Sequence, residues 1–329
     1  MSVPRLPLMM LGVLGLLVAA GCDLTHSAVD DYLAGQLAAE KGNMDKAVAD
    51  LTQAIDKNPK MGLAYMSRGE IYKARGDYTQ AAGDFEHVTK IEPFNFDAFY
   101  NLGLMYQYLK RFDDSIRAYQ KAVEIRPLDA QANMNLALVY TQMDQPLRGL
   151  GYAQRAVTGD DTSALTHANL GVLYAQLGYS ELAIDELGKA IELGSKEPQV
   201  YLALSAEYLT LEKITPARNV LDNGRKTCPT PALLERLGYC YYKSGDLEAA
   251  RTAYEQSLKL DETYFRALNG LGAVAMVQSL KSTPADTSLA RQALAYWRRS
   301  VRLEPDQPRI KDLITKYAGQ ADSGQATQP

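Results

Sequence analysis

A period of 34 residues runs through this chain and limits it to a narrow set of folds. Gly35, Gly69, Gly103, Ala137, Gly171 and Ser205 stand 34 residues apart, and Gly238 and Gly272 continue the series at 33 and 34. Three residues after these small ones come Tyr72, Tyr106, Tyr140, Tyr174, Tyr208 and Tyr241. Twelve residues after them come Ala47, Ala81, Ser115, Gly149, Ala183, Ala217 and Ala250. Four residues later stand Leu51, Phe85, Tyr119, Ala153, Leu187, Leu221 and Tyr254. Pro59, Pro93, Pro127 and Pro229 close their units. A unit this short cannot enclose a core alone, so copies must stack and bury each other's apolar faces. The repeated tyrosine also accounts for a composition of 21 Tyr against one Trp.

Each unit reads as two helices. Side chains at i, i+3, i+4 and i+7 share one helix face, and the small residues let the paired helices approach closely. The tyrosines and the later large residues are expected to fill the space between neighbouring units. In Gly76-Asp77 and Gly245-Asp246, Gly can end the first helix and Asp can cap the second. The terminal Pro stops the second helix because it cannot continue the hydrogen-bond ladder. The arrangement of aromatic, Leu-Gly, Tyr, Ala, Phe and Pro resembles the tetratricopeptide repeat. The resemblance covers residues 28 to about 305 in eight copies, starting near 28, 62, 96, 130, 164, 198, 231 and 265. It implies an all-α solenoid coiled into a right-handed superhelix.

Two units depart from the pattern. Gly149 and Gly151 lie inside the second helix of the fourth unit, each costing about 1 kcal/mol relative to Ala. That unit is expected to be the softest joint, with Pro146 harmless in a first helical turn. The eighth unit carries extra residues, Leu280 to Asp286, expected as a loop. Its pattern resumes at Ala293, Trp297, Ser300 and Pro305. Residues 308–318 read as a capping helix over the last apolar face, and 319–329 as a disordered tail.

The first segment reads as an export signal. Arg5 is its one charge, Leu6 to Ala20 is apolar, and Ala19, Ala20 and Gly21 are small. Fifteen apolar residues fall short of the roughly 20 needed to span a bilayer. Val18-Ala19-Ala20-Gly21-Cys22 resembles the lipobox of bacterial lipoproteins, with Ala19 where that family usually has Leu. The resemblance implies loss of residues 1–21, acylation of Cys22 by palmitate-type chains, and a short tether over 22–27. A plain secretory signal with an incidental Cys is the alternative. Loss of Arg5 takes the net charge from −4 to −5. The expected location is a bacterial cell envelope, lipid-anchored to a membrane.

A negative net charge offers no large positive field for phosphate backbones, so nucleic acid is not expected as a partner. The histidines are His26, His87 and His167, with no i, i+4 metal pair, and no Gly-rich phosphate loop occurs. No cofactor, metal or catalytic residue is assigned. Cys228 ends one helix, the chain turns at Pro229 to Pro231, and Cys240 lies about nine residues up the next, roughly 13 Å along the axis, too far for a disulfide, which suggests two separate thiols.

Positions two, five, six, nine, twelve and thirteen of each first helix point away from its core face. In tetratricopeptide repeats this second face lines the concave groove. The middle units place Tyr100, Asn101, Leu104, Gln107 and Tyr108 there, then Met134, Asn135, Leu138, Thr141 and Gln142, then Asn169, Val172 and Gln176. Asn101, Asn135 and Asn169 recur at one position and resemble the asparagine ladder of O-linked N-acetylglucosamine transferase, which grips extended peptides. An amide both donates and accepts, so it matches a peptide unit whatever the side chain. Copying of Asn by duplication accounts for the row equally well, and Leu33, Ser67, Ala203, Arg236 and Gly270 interrupt it elsewhere. The lysine and arginine set of the carboxylate-clamp repeats has no counterpart facing the groove. Arg236, Tyr239, Tyr242, Lys243 and Arg266 form a more basic and aromatic second contact surface, diluted by Glu235.

The expected function is a membrane-anchored scaffold that holds an extended segment of a partner protein, in pilus, secretion or cell-wall assembly. The rivals are a self-assembling envelope element and an enzyme with an unrecognised site.

Overall fold

The structure is a computed structural model that describes residues 27–283 and 286–323, without the side chains of 319–323. The expected export segment, Cys22, His26 and the last part of the expected tail lie outside the described residues.

Among the described residues there are seventeen α-helices and no strand. The first two repeats are α1 (Ala28–Glu40) with α2 (Met44–Lys57), and α3 (Gly62–Arg75) with α4 (Tyr78–Ile91). The third and fourth are α5 (Phe96–Tyr108) with α6 (Phe112–Ile125), and α7 (Ala130–Gln142) with α8 (Pro146–Gly159). The fifth and sixth are α9 (Ala164–Gln176) with α10 (Ser180–Glu192), and α11 (Pro198–Thr210) with α12 (Ile214–Thr227). Then come α13 (Pro231–Lys243) with α14 (Leu247–Leu260), α15 (Phe265–Lys281) with α16 (Thr287–Leu303), and α17 (Pro308–Ser323). This is a solenoid of eight helix-turn-helix repeats and a closing helix. It divides into two compact units between Ala98 and Phe99, a point within α5.

The close approach of paired helices is size-matched. A methyl group added at Gly35 would lie 2.7 Å from Leu51, at Gly69 2.9 Å from the Phe85 ring, and at Gly103 2.8 Å from Tyr119. Leu51, Phe85 and Tyr119 are wholly buried. The large residue of the second helix therefore lies on the glycine of its own repeat's first helix. It was expected only between repeats. Tyr254 does both, lying against Gly238 in its own repeat and Gly270 in the next.

The repeated tyrosine reaches the preceding repeat instead. Gln120 Nε2 donates to the Tyr140 hydroxyl at 3.4 Å, and Gln154 Nε2 to that of Tyr174 at 3.0 Å. Each pair is 20 residues apart and joins a second helix to the next first helix. The tyrosine thus buries its ring while its hydroxyl keeps a partner.

Other expectations shift in detail. Gly76 and Gly245 adopt φ of 83° and 82°, the left-handed geometry that ends α3 and α13. Asp246 accepts the Ala249 amide at 3.0 Å and caps α14, whereas Asp77 makes no side-chain cap on α4. Gly149 is no simple weak point. A methyl group there would stand 2.8 Å from the Ala137 carbonyl oxygen, so the fourth repeat has exchanged its Gly and Ala between the two helices. The eighth repeat absorbs its extra residues largely by lengthening, since α15 and α16 each have 17 residues and Leu280 and Lys281 are helical. The closing helix extends to Ser323, past the expected end at 318.

Candidate groove site

Within the second compact unit α7 packs on α9, α9 on α11, α11 on α13 and α13 on α15, so the first helices of successive repeats form a continuous row. Side chains opposite the core face of each helix lie along that row. The local sequences hold the helices in place through their ends: Asp129 caps α7 by accepting the Ala132 amide at 2.9 Å, and Ser163 caps α9.

The side chains expected in the groove differ in availability. Asn101 is only 7% exposed, and Met134 is buried in the core, so both are removed from the expected lining. Met134 is taken up by the hydrophobic core that α7 shares with α8, α9 and α10, and Asn101 is enclosed although residues at the same place on the next two first helices are not. Tyr100, Leu104 and Leu138 are half-buried. Tyr108 is 55% exposed, and Gln142, Val172 and Gln176 are also exposed. Asn135 and Asn169 are half-buried, and they differ from each other. Asn135 Nδ2 donates to the Tyr100 hydroxyl at 3.1 Å, while the Asn169 amide has no side-chain partner among the described residues. The three asparagines are therefore buried, engaged and open in turn.

Hydrogen bonds tie α5, α6 and α7 together. The buried Tyr119 hydroxyl donates to Gln107 Oε1 at 3.2 Å, and Gln107 Nε2 donates to Gln142 Oε1 at 3.1 Å. The Tyr100 and Tyr119 ring centroids lie 5.9 Å apart. Gln107–Gln142 and Tyr100–Asn135 each join α5 to α7 over 35 residues of chain. Burial raises the hydroxyl pKa values of Tyr100 and Tyr119, with the Asn135 amide opposing it, so both phenols stay neutral. The sequence row identified Gln107, but the dependence of Tyr100 on Asn135 needed coordinates.

The second surface lies on α13 and α15. Lys243 and Arg266 are exposed, while Arg236, Tyr239 and Tyr242 are half-buried. Glu235 sits half-buried beside them and makes no hydrogen bond or ion pair among the described residues. Burial raises its carboxyl pKa, and Arg236 and Arg266 only partly offset that. Burial also raises the Tyr254 and Tyr264 hydroxyl values, with the Glu235 charge the next contribution.

The remaining reactive groups have structural partners. His167 is buried, with Nδ1 2.6 Å from Glu186 Oε2 and Nε2 3.0 Å from the Asp161 carbonyl oxygen. His87 stacks on Tyr65 at 4.2 Å. Cys228 is half-buried and Cys240 fully so, both free thiols, and burial pushes the Cys240 pKa up to about 11. Among the described residues no cluster of three or more His, Cys, Asp or Glu could hold a metal, and no helix is long and apolar enough to cross a membrane.

A row of first helices with a shared outward face defines a helical-repeat scaffold, and the family comparisons name it. Models of the tetratricopeptide repeat match residues 32–96, 96–128, 164–194 and 238–277, and the chain belongs to this family. Among solved structures it is similar to pilF of Pseudomonas aeruginosa, at 21% identity and TM-score 0.54, over 67% of this chain and 97% of that one. It is also similar to a tetratricopeptide repeat protein of Parabacteroides merdae (15% identity, TM-score 0.53, 78% and 98% covered). The C-terminal part of a repeat protein of Cytophaga hutchinsonii gives 15% identity and TM-score 0.60, with 74% and 97% covered. Identities this low establish the fold. No curated protein sequence matches the chain.

Proposed function

We propose that this chain is a lipid-anchored adaptor of a bacterial envelope, tethered through Cys22, that holds an extended segment of a partner protein against α5, α7 and α9. The observation that carries the groove reading is the open Asn169 amide. It occupies the same repeat position as Asn135 and shares its helix face with exposed Val172 and Gln176, while Gln142 on α7 and Tyr108 on α5 are exposed as well. Such a surface can exchange hydrogen bonds with a peptide backbone while its apolar members cover side chains, a recognition that depends little on partner charge. Pilus, secretion or cell-wall assembly are the processes such an adaptor would serve. The anchor reading rests on the apolar segment and small residues that end at Cys22.

The test is crosslinking in native membranes with identification of the captured proteins, repeated for Asn169→Ala and Gln176→Ala. Asn101→Ala is a poor probe because that side chain is buried. Loss of a partner in the variants supports the groove, and an unchanged partner set removes it from the mechanism. The mass of the mature N-terminus decides the anchor.

A further inference from the structure

The two ends of the repeat array are finished differently. At the C-terminal end, Ile310, Leu313, Ile314 and Tyr317 of α17 pack over the last helix pair around Trp297. At the N-terminal end, α1 turns Gly35 and Ala38 into the core, with Tyr32 and Ala39 packed beside them. It presents a second apolar row to solvent: Val29, Leu33 and Leu37 are 54%, 55% and 50% exposed. A spacing of four residues puts all three on one side of the helix. The residue at the place of Leu37 is buried in most later repeats, as Ile71, Met105, Val139, Leu173, Cys240 and Val274. That place normally faces a neighbour. Nearby Asp30 is engaged in its own helix cap, accepting from the Ser27 amide and hydroxyl at 2.8 Å each.

We propose that Val29, Leu33 and Leu37 rest in the interfacial layer of the membrane, an inference that depends on the lipid anchor at Cys22. From Cys22 to Ala28 is six residues, at most about 20 Å of chain. An acylated Cys22 therefore holds α1 against the headgroups, where an apolar row on a helix lying in the interface is stabilised. Three side chains offer far less than the roughly 800 Å² per partner of a stable protein interface, which argues against a second copy as the cover. The anchor and the row together make a two-point attachment that limits rotation of the first repeat about its tether.

The experiment uses the full acylated chain in phosphatidylethanolamine–phosphatidylglycerol vesicles with brominated acyl chains. A Leu33→Trp variant should lose about half its added emission to bromine quenching, a tryptophan in the interface being within reach of the upper acyl chain. Leu182→Trp, at another exposed site, and the buried Trp297 should stay unquenched. Adding Leu37→Glu should abolish the quenching of Leu33→Trp, and circular dichroism checks that the helices persist. Unquenched Leu33→Trp on a chain whose Cys22 is acylated overturns the membrane contact and leaves the anchor standing. An unacylated Cys22 overturns both. A concentration-dependent emission shift without vesicles assigns the row to pairing of copies and overturns the proposal.

Discussion

Two glycines two residues apart show how differently one residue type can act. A methyl group at Gly149 would meet the Ala137 carbonyl oxygen at 2.8 Å, while one at Gly151 would find nothing within 4 Å. Backbone cannot yield as a side-chain end can, so Gly149→Ala is expected to destabilise by about 1–3 kcal/mol through overpacking. Gly151→Ala should stabilise by up to about 1 kcal/mol, since an exposed helical Gly gives up only conformational entropy. Urea unfolding of both variants checks the opposite signs. Glu235 makes a second residue-scale prediction. Its folded carboxyl pKa lies above the ordinary range, so the unfolded chain ionises first as pH rises. Folded stability is therefore lost as pH climbs through the interval between the unfolded and folded values. Glu235→Gln should be more stable than the parent at neutral pH, and the advantage should vanish in acid below the ordinary carboxylate range. Urea midpoints across pH read this directly.

At the scale of elements, the helix ends are not interchangeable. Asp77 and Asp246 follow a glycine in the same turn, yet only Asp246 holds a first-turn amide. Asp246→Ala should cost about 1 kcal/mol of stability, the usual worth of a cap. Asp77→Ala should stay within about 0.5 kcal/mol of the parent, as a surface change does. Thermal melts of the pair compare the two ends directly. The first compact unit adds a cross-helix tie of another kind. Arg68 donates to Asp84 through Nε at 2.9 Å and Nη2 at 2.7 Å, and through Nη1 to Thr52 at 2.9 Å. One side chain thereby joins α2, α3 and α4, which the 34-residue pattern does not require.

At the scale of the molecule, the strong helix contacts within each compact unit run between adjacent helices and adjacent repeats, so damage should spread only locally. Removing residues 308–329, and with them α17, uncovers Trp297, the sole tryptophan, now 2% exposed. Its emission should shift to the red, and amide exchange should quicken in α15 and α16 while α1 to α4 keep their protection. Uniform acceleration along the chain would contradict nearest-neighbour stability.

The sequence by itself determined the helix pairs and their repetition, because small residues, tyrosines and prolines act over a few turns of chain and recur at fixed spacing. It also marked an outward face of α5, α7 and α9 from helical geometry, although Asn101 and Met134 on that face are buried. Only the tertiary structure decided that Asn101 is buried, that Asn135 serves Tyr100 and that Asn169 is open. The same holds for the fit of Gly149 to Ala137 and the burial that raises the Glu235 pKa. Identical positions in successive repeats meet different neighbours, and burial and pairing depend on the size and reach of side chains a repeat away.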